Sequence, residues 1–514
     1  MAQKLPLGLQ DFGEIIRGGY KYIDKTRYVH RMCTSGKYFF LSRPRRFGKS
    51  ITVAVLQELY RGSKELFKGL WIEDQWDWSR KAHPIVKISF TALGFQQNGL
   101  QESLNYALDG LIKTHGLEPI QGNLTNKLSY LVTELAKINK VVVLIDEYDA
   151  PIVGYLGEEI AIAYQNRELL KSFYAVLKDL DPYLELVFIT GVSKFSKVGI
   201  FSGMNNLVDL TMNAQFSSML GYTQTELEQG FSEEIENTST ILKLNKQELL
   251  DKMRFWYNGY RFHASAETVY NPVSINMFFH LQEFKNFWFE TGTPSFLIKL
   301  LKKEGLYELE LYPQGEQSFA TFDLEDLNAF GLLYQTGYLT LKSRNEMGLY
   351  EMDYPNYEVK NAMTGFLLEA YGGLRRGEAL PLVYKLEQLL EARKVDQVMK
   401  QLQGMFKSIT YQLHETYPEK FFHAAIHLLF TYMGLNIHSE VCTSDGRVDA
   451  LVETASYIYI FEFKLDQSAE KALDQIRKKE YYQAFWNKEK PVIGIGVNFL
   501  SETRNIGEWK EEEF

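Results

Sequence analysis

The residues best suited to phosphate chemistry lie in the segment 43–50, RPRRFGKS, between an apolar stretch and a predicted helix. Backbone N–H groups at a helix N-terminus bind phosphate, because they point into the loop where the helix dipole is positive. In such a loop Lys49 reaches the β- and γ-phosphates of a nucleotide, and Ser50 binds Mg²⁺. The segment therefore predicts a site for ATP and Mg²⁺ that includes Gly48, Lys49 and Ser50.

The loop departs from the common phosphate-binding pattern at its first position, where Arg43 replaces glycine and Pro44 follows. This departure predicts a loop that is tighter or differently turned than the common form. Arg45 and Arg46 are assigned to the same cofactor-binding set, as side chains that clamp phosphate. Two alternatives stay open for them: contact with a neighbouring subunit, and solvated charge on a loop.

Acidic partners for the loop follow the apolar run 141–145. Ligands of open α/β sheets bind at the carboxyl ends of the strands, where Asp146 and Glu147 are predicted to lie. Asp146 can hold Mg²⁺ through water, and Glu147 can activate the attacking water as a general base. A solvated acidic turn is the alternative. Thr190 or Ser193, after another apolar run, is predicted to sense the γ-phosphate, unless it only caps the next turn.

A second group of chemistry-bearing residues lies near the C-terminus, in GRVD at 446–449 and FEFK at 461–464. Cleavage of a phosphodiester needs a metal ion and a source of hydroxide near neutral pH. Asp449 and Glu462, on adjacent predicted strands, supply two metal-binding carboxylates. Because side chains alternate along a strand, Lys464 shares a face with Glu462 and can orient or deprotonate the attacking water.

Further candidates flank these residues. Gln475, on the following helix, is predicted to touch the metal-bound water or the scissile phosphate. Glu419, on the preceding helix, or Glu440, on the preceding strand, is predicted to add a metal ligand. The alternatives are a solvated helix face around Gln475 and a sheet edge with a surface ion pair for the carboxylates and the lysine.

The elements that must position these residues change pattern along the chain. Short apolar strands alternate with helices in the first part, which predicts a parallel sheet with helices on both faces. The extra strand between the phosphate loop and the acidic strand is typical of ATPases in which a glutamate activates water. The predicted strands are 38–42, 85–90, 141–146 and 186–190.

Amphipathic helices dominate the middle of the chain, where 382–403 reads as one long helix and strand-like pieces at 337–341 and 357–359 indicate a small winged element. The last part has the αβββαβ order of restriction-endonuclease-like folds. Its predicted elements are 419–433, 436–442, 447–453, 457–464, 469–486 and 492–498. We therefore predict an α/β protein with three domains: a P-loop ATPase domain at 1–222, a helical middle at 223–405 and a nuclease-like domain at 406–514.

Bulk composition restricts the partners. The 514 residues include 56 Lys and Arg against 65 Asp and Glu, a net charge of −9, so a nucleic acid would need a local basic groove. Cys33 and Cys442 cannot build a disulfide framework, which favours a reducing compartment. The sequence has neither an apolar signal core nor a run long enough for a membrane helix, and it predicts a cytoplasmic protein without a membrane partner.

Motifs along nearly the whole chain resemble one bacterial family, the AAA-ATPase-like proteins with an appended PD-(D/E)XK nuclease domain. The motifs are RPRRFGKS at 43–50, LIDEYD at 144–149, WYNGYRF at 256–262, YNP at 270–272, GRVD at 446–449, FEFK at 461–464 and QI at 475–476. The loop without its first glycine is similar to that family's own variant, whereas Val448 stands where the nuclease superfamily usually has proline. The resemblance implies an ATP site at Lys49, Ser50, Asp146 and Glu147, and a nuclease site at Asp449, Glu462, Lys464 and Gln475.

The motifs at 256–262 and 270–272 carry no chemistry that the residue types reveal. Asn258 and Gly259 predict a turn, and the aromatic residues around them are predicted to pack a core.

The leading hypothesis is an ATP-dependent nuclease whose partner is nucleic acid, DNA before RNA, with ATP turnover gating the C-terminal domain. The main alternative is a nucleotide-dependent switch whose nuclease-like domain binds without cleaving, and a third is an ATPase with a purely structural C-terminal fold. The full set of Asp449, Glu462 and Lys464 favours the first. The arginines beside the phosphate loop are compatible with a homo-oligomer.

Overall fold

The structure is a computed structural model that describes residues 3–157, 159–194, 200–201, 203–204, 206–288, 295–309, 312–320, 324–325, 327–408, 418–436, 440–442, 450–485 and 489–514. The chain divides into two compact units. The N-terminal unit comprises Met1–Gly292 and Leu309–Glu358, and the C-terminal unit comprises Thr293–Glu308 and Val359–Phe514. The three-domain division of the sequence stays a prediction. Of the helices in the described ranges, none is long and apolar enough to cross a bilayer.

A five-stranded parallel sheet forms the core of the N-terminal unit. Its strands are β1 (Tyr38–Ser42), β2 (Ile85–Ser89), β3 (Val141–Asp146), β4 (Leu184–Gly191) and β5 (Val208–Asp209). They are ordered β2-β3-β4-β1-β5, so β4 separates the strand before the phosphate loop from the acidic strand. The carboxyl ends of β1, β3 and β4 therefore meet at one edge. The predicted parallel sheet and its four predicted strands are confirmed.

Helices connect these strands and continue into the middle of the chain. They are α1 (Phe12–Arg17), α2 (Thr26–Ser35), α3 (Lys49–Arg61), α4 (Phe95–Asn98), α5 (Leu100–Thr114), α6 (Leu124–Ala136), α7 (Ala150–Val153), α8 (Ile160–Asp179), α9 (Gln224–Gly230), α10 (Ser232–Leu242), α11 (Lys246–Tyr257), α12 (Pro272–Leu281) and, in the C-terminal unit, α13 (Ser295–Glu304). Helices α9–α12 share an apolar core that includes Tyr257, and Tyr260 and Phe262 are also buried. The helical middle and the aromatic packing around the turn are confirmed.

A small antiparallel sheet completes the N-terminal unit. It contains β6 (Tyr312–Gln314), β7 (Thr340–Arg344) and β8 (Tyr350–Asp353) in the order β6-β8-β7. Two helices, α14 (Glu316–Ala320) and α15 (Ala329–Thr336), lie between β6 and β7 in sequence. The predicted strand at 337–341 thus begins only at Thr340. The prediction of a strand at 357–359 is wrong. This segment opens α16 (Tyr357–Tyr371), in which Val359, Met363 and Leu367 are buried at helical spacing.

A second five-stranded sheet forms the core of the C-terminal unit. Its strands are β9 (Glu440–Cys442), β10 (Ala450–Glu453), β11 (Ile458–Leu465), β12 (Val492–Leu500) and β13 (Asn505–Glu513), ordered β13-β12-β11-β10-β9. The helices are α17 (Ala379–Glu391), α18 (Val395–Ser408), α19 (Pro418–Asn436) and α20 (Ala469–Lys479). Strands β11 and β12 run parallel, whereas the other pairs are antiparallel. The predicted αβββαβ order is confirmed, and β13 extends it.

Two predicted helices of this unit need correction. The single helix expected at 382–403 is two helices, because Arg393 takes a left-handed conformation with φ 54° between α17 and α18. The helix expected at 469–486 ends at Lys479, where Glu480 has φ 51°.

The two faces of β11 are covered by different helices. Ile458 and Ile460 pack with Leu473 of α20. On the opposite face, Phe461 lies 5.0 Å from Phe430 of α19, measured between ring centroids. The alternation of side chains along β11 therefore places Glu462 and Lys464 on the α20 face.

Candidate functional site

The phosphate loop, residues 43–48, joins the end of β1 to the start of α3. Gly48 caps α3 with φ 98°, a left-handed conformation that glycine adopts without strain. The N–H of Thr52 donates to the Gly48 carbonyl at 3.0 Å and makes the first backbone bond of the helix. The N–H groups before it stay at the helix end without intrahelical partners, as at every helix N-terminus. This arrangement fits a bound phosphate.

Lys49, the first residue of α3, is buried against the loop at 6% exposure. Its Nζ donates to the carbonyl of Arg43 at 2.8 Å and to that of Pro44 at 2.9 Å. Burial lowers the pKa of Lys49 to about 8, although Asp149, Asp146 and Glu147 favour the charged form. Lys49 is therefore close enough to the acidic residues after β3 for their charges to interact.

Arg43, at the position of the missing glycine, is an internal anchor. Its guanidinium is fully buried and donates to the carbonyls of Ser42, Thr211 and Phe216 at 2.9, 2.7 and 3.1 Å. The group also lies 4.1 Å from the ring centroid of Phe262, and burial lowers its pKa to about 10. Arg43 thus ties the end of β1 to the segment 211–216.

The two following arginines lie differently. Arg45 is exposed, whereas Arg46 is half-buried, has φ 67° and donates through Nη1 to the carbonyl of Phe287 at 2.8 Å. The assignment of both residues to phosphate stays a prediction.

A side-chain hydrogen bond joins the carboxyl ends of the neighbouring strands β3 and β4. Asp146 is buried at the end of β3, and its Oδ1 accepts from the hydroxyl of Thr190, at the end of β4, at 3.0 Å. Glu147, next in the chain, is half-buried and has φ 54°. Non-glycine residues in this conformation are uncommon and concentrate at functional sites.

Asp149 is a buried carboxylate that the sequence analysis did not assign. It accepts from the N–H groups of Val192 and Ser193 at 3.0 and 2.6 Å, and burial raises its pKa. A Cβ atom at Gly191 would lie 2.6 Å from Asp149 Oδ1, so this close approach requires glycine. The signal in the sequence was a third acid within DEYD, three residues after Asp146.

The donor set of this edge fits Mg²⁺, which prefers oxygen ligands and substrate phosphates. Asp146 offers a carboxylate, and Ser50 lies beside Lys49 on the first turn of α3. Asp146 and Ser50 would hold the ion beside a nucleotide.

In the C-terminal unit, the buried Glu462 and the half-buried Lys464 form an ion pair on the α20 face of β11. The Glu462 carboxylate is 2% exposed, and its Oε1 accepts from Lys464 Nζ at 2.8 Å. A buried carboxylate beside a lysine fits a metal-dependent hydrolytic site, in which Glu462 would bind the ion.

Asn498, on β12, is a polar neighbour that the sequence analysis did not assign. It stands opposite Lys464 in the parallel register and is 8% exposed. Its Oδ1 is buried and accepts no hydrogen bond from any residue in the described ranges. The signal was a single amide in the otherwise apolar strand VIGIGVNFL.

Of the other residues predicted at this site, the structure describes the side chain of Gln475 alone. Gln475 is half-buried on α20, and no hydrogen bond joins it to Glu462 or Lys464 in the described part of the chain. Asp449 lies outside the described residues. Glu419 and Glu440 lie in α19 and β9, with their side chains outside the described part. Among the described side chains, three or more His, Cys, Asp or Glu residues do not converge as a metal-binding group.

Comparison with known proteins matches both regions. Residues 6–201 match a family described as "Predicted AAA-ATPase", and residues 417–509 match the PD-(D/E)XK nuclease superfamily. A relative from Azotobacter chroococcum mcd 1, "Uncharacterized protein in vnfD 5'region", is 34% identical over 519 residues, which cover 98% of this chain and 98% of the relative. The chain therefore belongs to the AAA-ATPase-like family, with a PD-(D/E)XK nuclease superfamily domain in its C-terminal part.

Proposed function

We propose that the N-terminal unit binds and hydrolyses ATP. The observation that carries this proposal is the bond between Asp146 and Thr190 at the sheet edge that the phosphate loop also borders. Bound Mg²⁺ neutralises charge on the β- and γ-phosphates. Lys49 and the α3 N-terminus bind the phosphates, Glu147 orients and deprotonates the attacking water, and Thr190 reports the γ-phosphate through its contact with Asp146.

The C-terminal domain is proposed to cleave phosphodiester bonds in nucleic acid, DNA before RNA, with a Mg²⁺ ion held by Asp449, Glu462 and Glu419. Lys464 acts on the attacking water, which a neighbouring ammonium can orient. Gln475 contacts the scissile phosphate or the water. The ion pair between the buried Glu462 and Lys464 supports this assignment. We further propose that ATP turnover gates the reaction.

ATP binding and hydrolysis are tested with Mg²⁺-ATP and the full chain. Lys49→Ala removes nucleotide binding, whereas Glu147→Gln keeps binding and lowers turnover by about 100-fold or more. Equal ATP affinity in Lys49→Ala and wild type would contradict the phosphate-loop assignment. Wild-type turnover in Glu147→Gln would remove Glu147 from the mechanism.

Nuclease activity is tested on a panel of single- and double-stranded DNA and RNA, with Mg²⁺ or Mn²⁺ and with or without ATP. Glu462→Ala is the control, since it removes the buried carboxylate. Cutting that disappears in the control supports the nuclease. ATP hydrolysis without cutting under any condition favours the alternative, a nucleotide-dependent switch with a non-cleaving binding module.

A further inference from the structure

A cavity of about 740 Å³ lies in the N-terminal unit, between α4, the first turns of α5, the segment after α7, and α8. Helix α4 follows β2, at one end of the strand order β2-β3-β4-β1-β5, whereas the phosphate loop follows β1. The described residues that line the cavity do not include the phosphate loop or the motif at 144–149. The cavity is therefore separate from the proposed ATP site, and its volume falls within the roughly 300–1,000 Å³ typical of small-molecule sites.

Amide side chains dominate the polar part of the lining. The asparagine and glutamine residues among the described lining residues are Gln96, Asn98, Gln101, Asn105, Gln165 and Asn166. An amide offers a donor and an acceptor side by side and carries no charge. In the described lining, neither lysine nor arginine occurs, and Glu102 is the one charged side chain. The cavity therefore fits an uncharged ligand that carries both donors and acceptors, and it disfavours phosphate groups.

Two of these amides, Asn166 and Asn105, are set into the cavity wall. Asn166 is 8% exposed, and its Nδ2 donates to the carbonyl of Pro151 in α7 at 2.7 Å, which fixes the amide. Asn105 is half-buried, and its Oδ1 is buried and accepts no hydrogen bond from the described residues. Leaving a buried polar atom unpaired costs free energy, because the atom loses its hydrogen bonds to water. Asn105 therefore favours a ligand that brings an N–H or O–H donor.

The apolar part of the lining includes two aromatic rings. Phe95 of α4 and Tyr155, just after α7, lie 6.2 Å apart between ring centroids, and Ile162 of α8 also lines the cavity. A nucleobase has apolar faces that pack against aromatic rings, and polar edges that pair with amides. Asparagine and glutamine pair in particular with the N6 and N7 edge of adenine. The combination of rings and amides thus fits a planar heterocycle.

Glu102, on the first turn of α5, adds an acceptor for a sugar. Its Oε1 accepts from the hydroxyl of Tyr106 at 3.1 Å, and its Oε2 accepts no hydrogen bond from the described residues. Carboxylates bind ribose hydroxyls at nucleotide sites, whereas they repel phosphate. A base with its ribose therefore matches the lining better than a nucleotide does.

We propose that this cavity is a second ligand site, which binds an uncharged ribonucleoside. The amides pair with the edge of the base, the aromatic rings pack against its faces, and Glu102 accepts from the ribose. Among the four ribonucleosides adenosine is expected to bind best, because amides pair with the adenine edge. The site goes beyond the proposed ATP hydrolysis and does not depend on it.

The test measures binding of the four ribonucleosides to the full chain by calorimetry, with a non-hydrolysable ATP analogue present to fill the proposed ATP site. Gln96→Leu and Asn105→Leu are each expected to weaken adenosine binding by about tenfold, the scale of one hydrogen bond. Gln97→Leu is the matched control, since Gln97 is also exposed on α4 but does not line the cavity. Its adenosine affinity stays at the wild-type level.

The sugar contact has its own measurement. Deoxyadenosine, which lacks the 2′-hydroxyl, is expected to bind wild type more weakly than adenosine, and Glu102→Ala is expected to remove this preference. Melting temperatures of all variants without ligand identify a variant that does not fold. If Asn105→Leu is one of these, Gln96→Leu replaces it, because the Gln96 side chain is exposed.

The outcomes are distinguishable. Binding of any ribonucleoside that Gln96→Leu weakens and Gln97→Leu does not supports the site. The proposal is wrong if no ribonucleoside binds at millimolar concentration, or if Gln96→Leu and Gln97→Leu bind as wild type, which would place the ligand elsewhere. An equal loss in both variants, or Gln96-dependent binding of free glucose or of oligonucleotides without binding of nucleosides, also overturns it. Failure of Lys49→Ala and wild type to bind ATP would instead contradict the proposed ATP site and leave this result intact.

Discussion

Burial sets the protonation of Glu358, a residue in the first turn of α16. Burial raises its pKa from 4.5 to about 7, against hydrogen bonds from Trp288 and Ser274 and the charge of Arg46. Among the described residues, Tyr257 and Tyr260 also interact with it, and burial and the Glu358 charge raise the pKa values of both. The carboxyl group therefore stays protonated to a higher pH than the carboxyl group of a solvated glutamate.

This shift predicts a pH-dependent stability. Because the folded-state pKa exceeds the unfolded value, the contribution of Glu358 to the free energy of unfolding is complete below pH 4.5 and is lost as pH rises through about 7. Relative to wild type, Glu358→Gln gains stability with rising pH over this window, by at most about 3 kcal/mol. Denaturant unfolding of both proteins from pH 4.5 to 8 measures the difference. If the free energies of unfolding of the two proteins differ by the same amount at every pH, the pKa of Glu358 is not raised.

Lys464 is the residue on which the nuclease assignment depends most directly. Lys464→Ala is expected to lower metal-dependent cleavage by about 100-fold or more while ATP affinity stays at the wild-type level. Lys490→Ala is the matched control, because Lys490 is also ion-paired to a strand glutamate, Glu453, at 2.9 Å in the same unit. Cleavage rates on the most rapidly cut substrate provide the measurement. Wild-type cleavage in Lys464→Ala, or an equal loss in both variants, would refute the role.

At the scale of elements, the turn between α11 and α12 depends on a close backbone contact. Gly259 has φ 132°, and a Cβ atom there would lie 1.8 Å from the carbonyl oxygen of Pro355, just before α16. Side chains are excluded from that space, so the turn and the start of α16 require glycine at this position.

Gly259→Ala is therefore expected to reduce the free energy of unfolding by at least about 2 kcal/mol. Gly110→Ala is the matched control, since Gly110 is exposed within α5 and a Cβ atom there meets nothing within 4 Å. Alanine stabilises an exposed helix position by about 0.5–1 kcal/mol relative to glycine. Chemical denaturation of the three proteins gives both values, and equal stability of Gly259→Ala and wild type would exclude the close contact.

The sequence predicted the elements whose signal is local. The run VVVLID at 141–146 is a continuous apolar strand, and its bounds match β3. Tyr357–Val359 looked like a strand, because three residues cannot reveal the helical spacing that continues to Leu367. Strand β13 was missed because its charged residues hide an edge strand, a common way of blunting sheet edges.

The residues of the candidate sites also differ in whether a local sequence signal reveals them. Lys49, Asp146 and Glu462 stand in motifs that local pattern can find. The contacts of Asn271 and Glu358 were not predicted, because they join residues far apart in sequence; Asn271 and Arg45 are 226 residues apart. An isolated acid or amide in a helical region carries no sign of such a partner.

For the whole molecule, the question is whether ATP and nucleic acid affect each other. The chain passes between the two compact units at three places, after Gly292, Glu308 and Glu358. ATP can influence cleavage only if its affinity differs between two states of the protein, and the effect must be reciprocal at equilibrium. Nucleic acid must then change ATP affinity by the same factor by which ATP changes nucleic-acid affinity.

Turnover gating makes a specific prediction for variants that stop at different steps. Lys49→Ala, which does not bind ATP, and Glu147→Gln, which binds without hydrolysis, should both cleave at the ATP-free rate of wild type. If binding alone is sufficient, Glu147→Gln instead cleaves at the ATP-stimulated rate. Free Mg²⁺ must be held constant, because ATP chelates the ion that the nuclease also needs. In Glu462→Ala, which retains its substrate, ATP affinity with and without DNA tests reciprocity. Identical cleavage in all three proteins, with and without ATP, would mean that the two activities are independent.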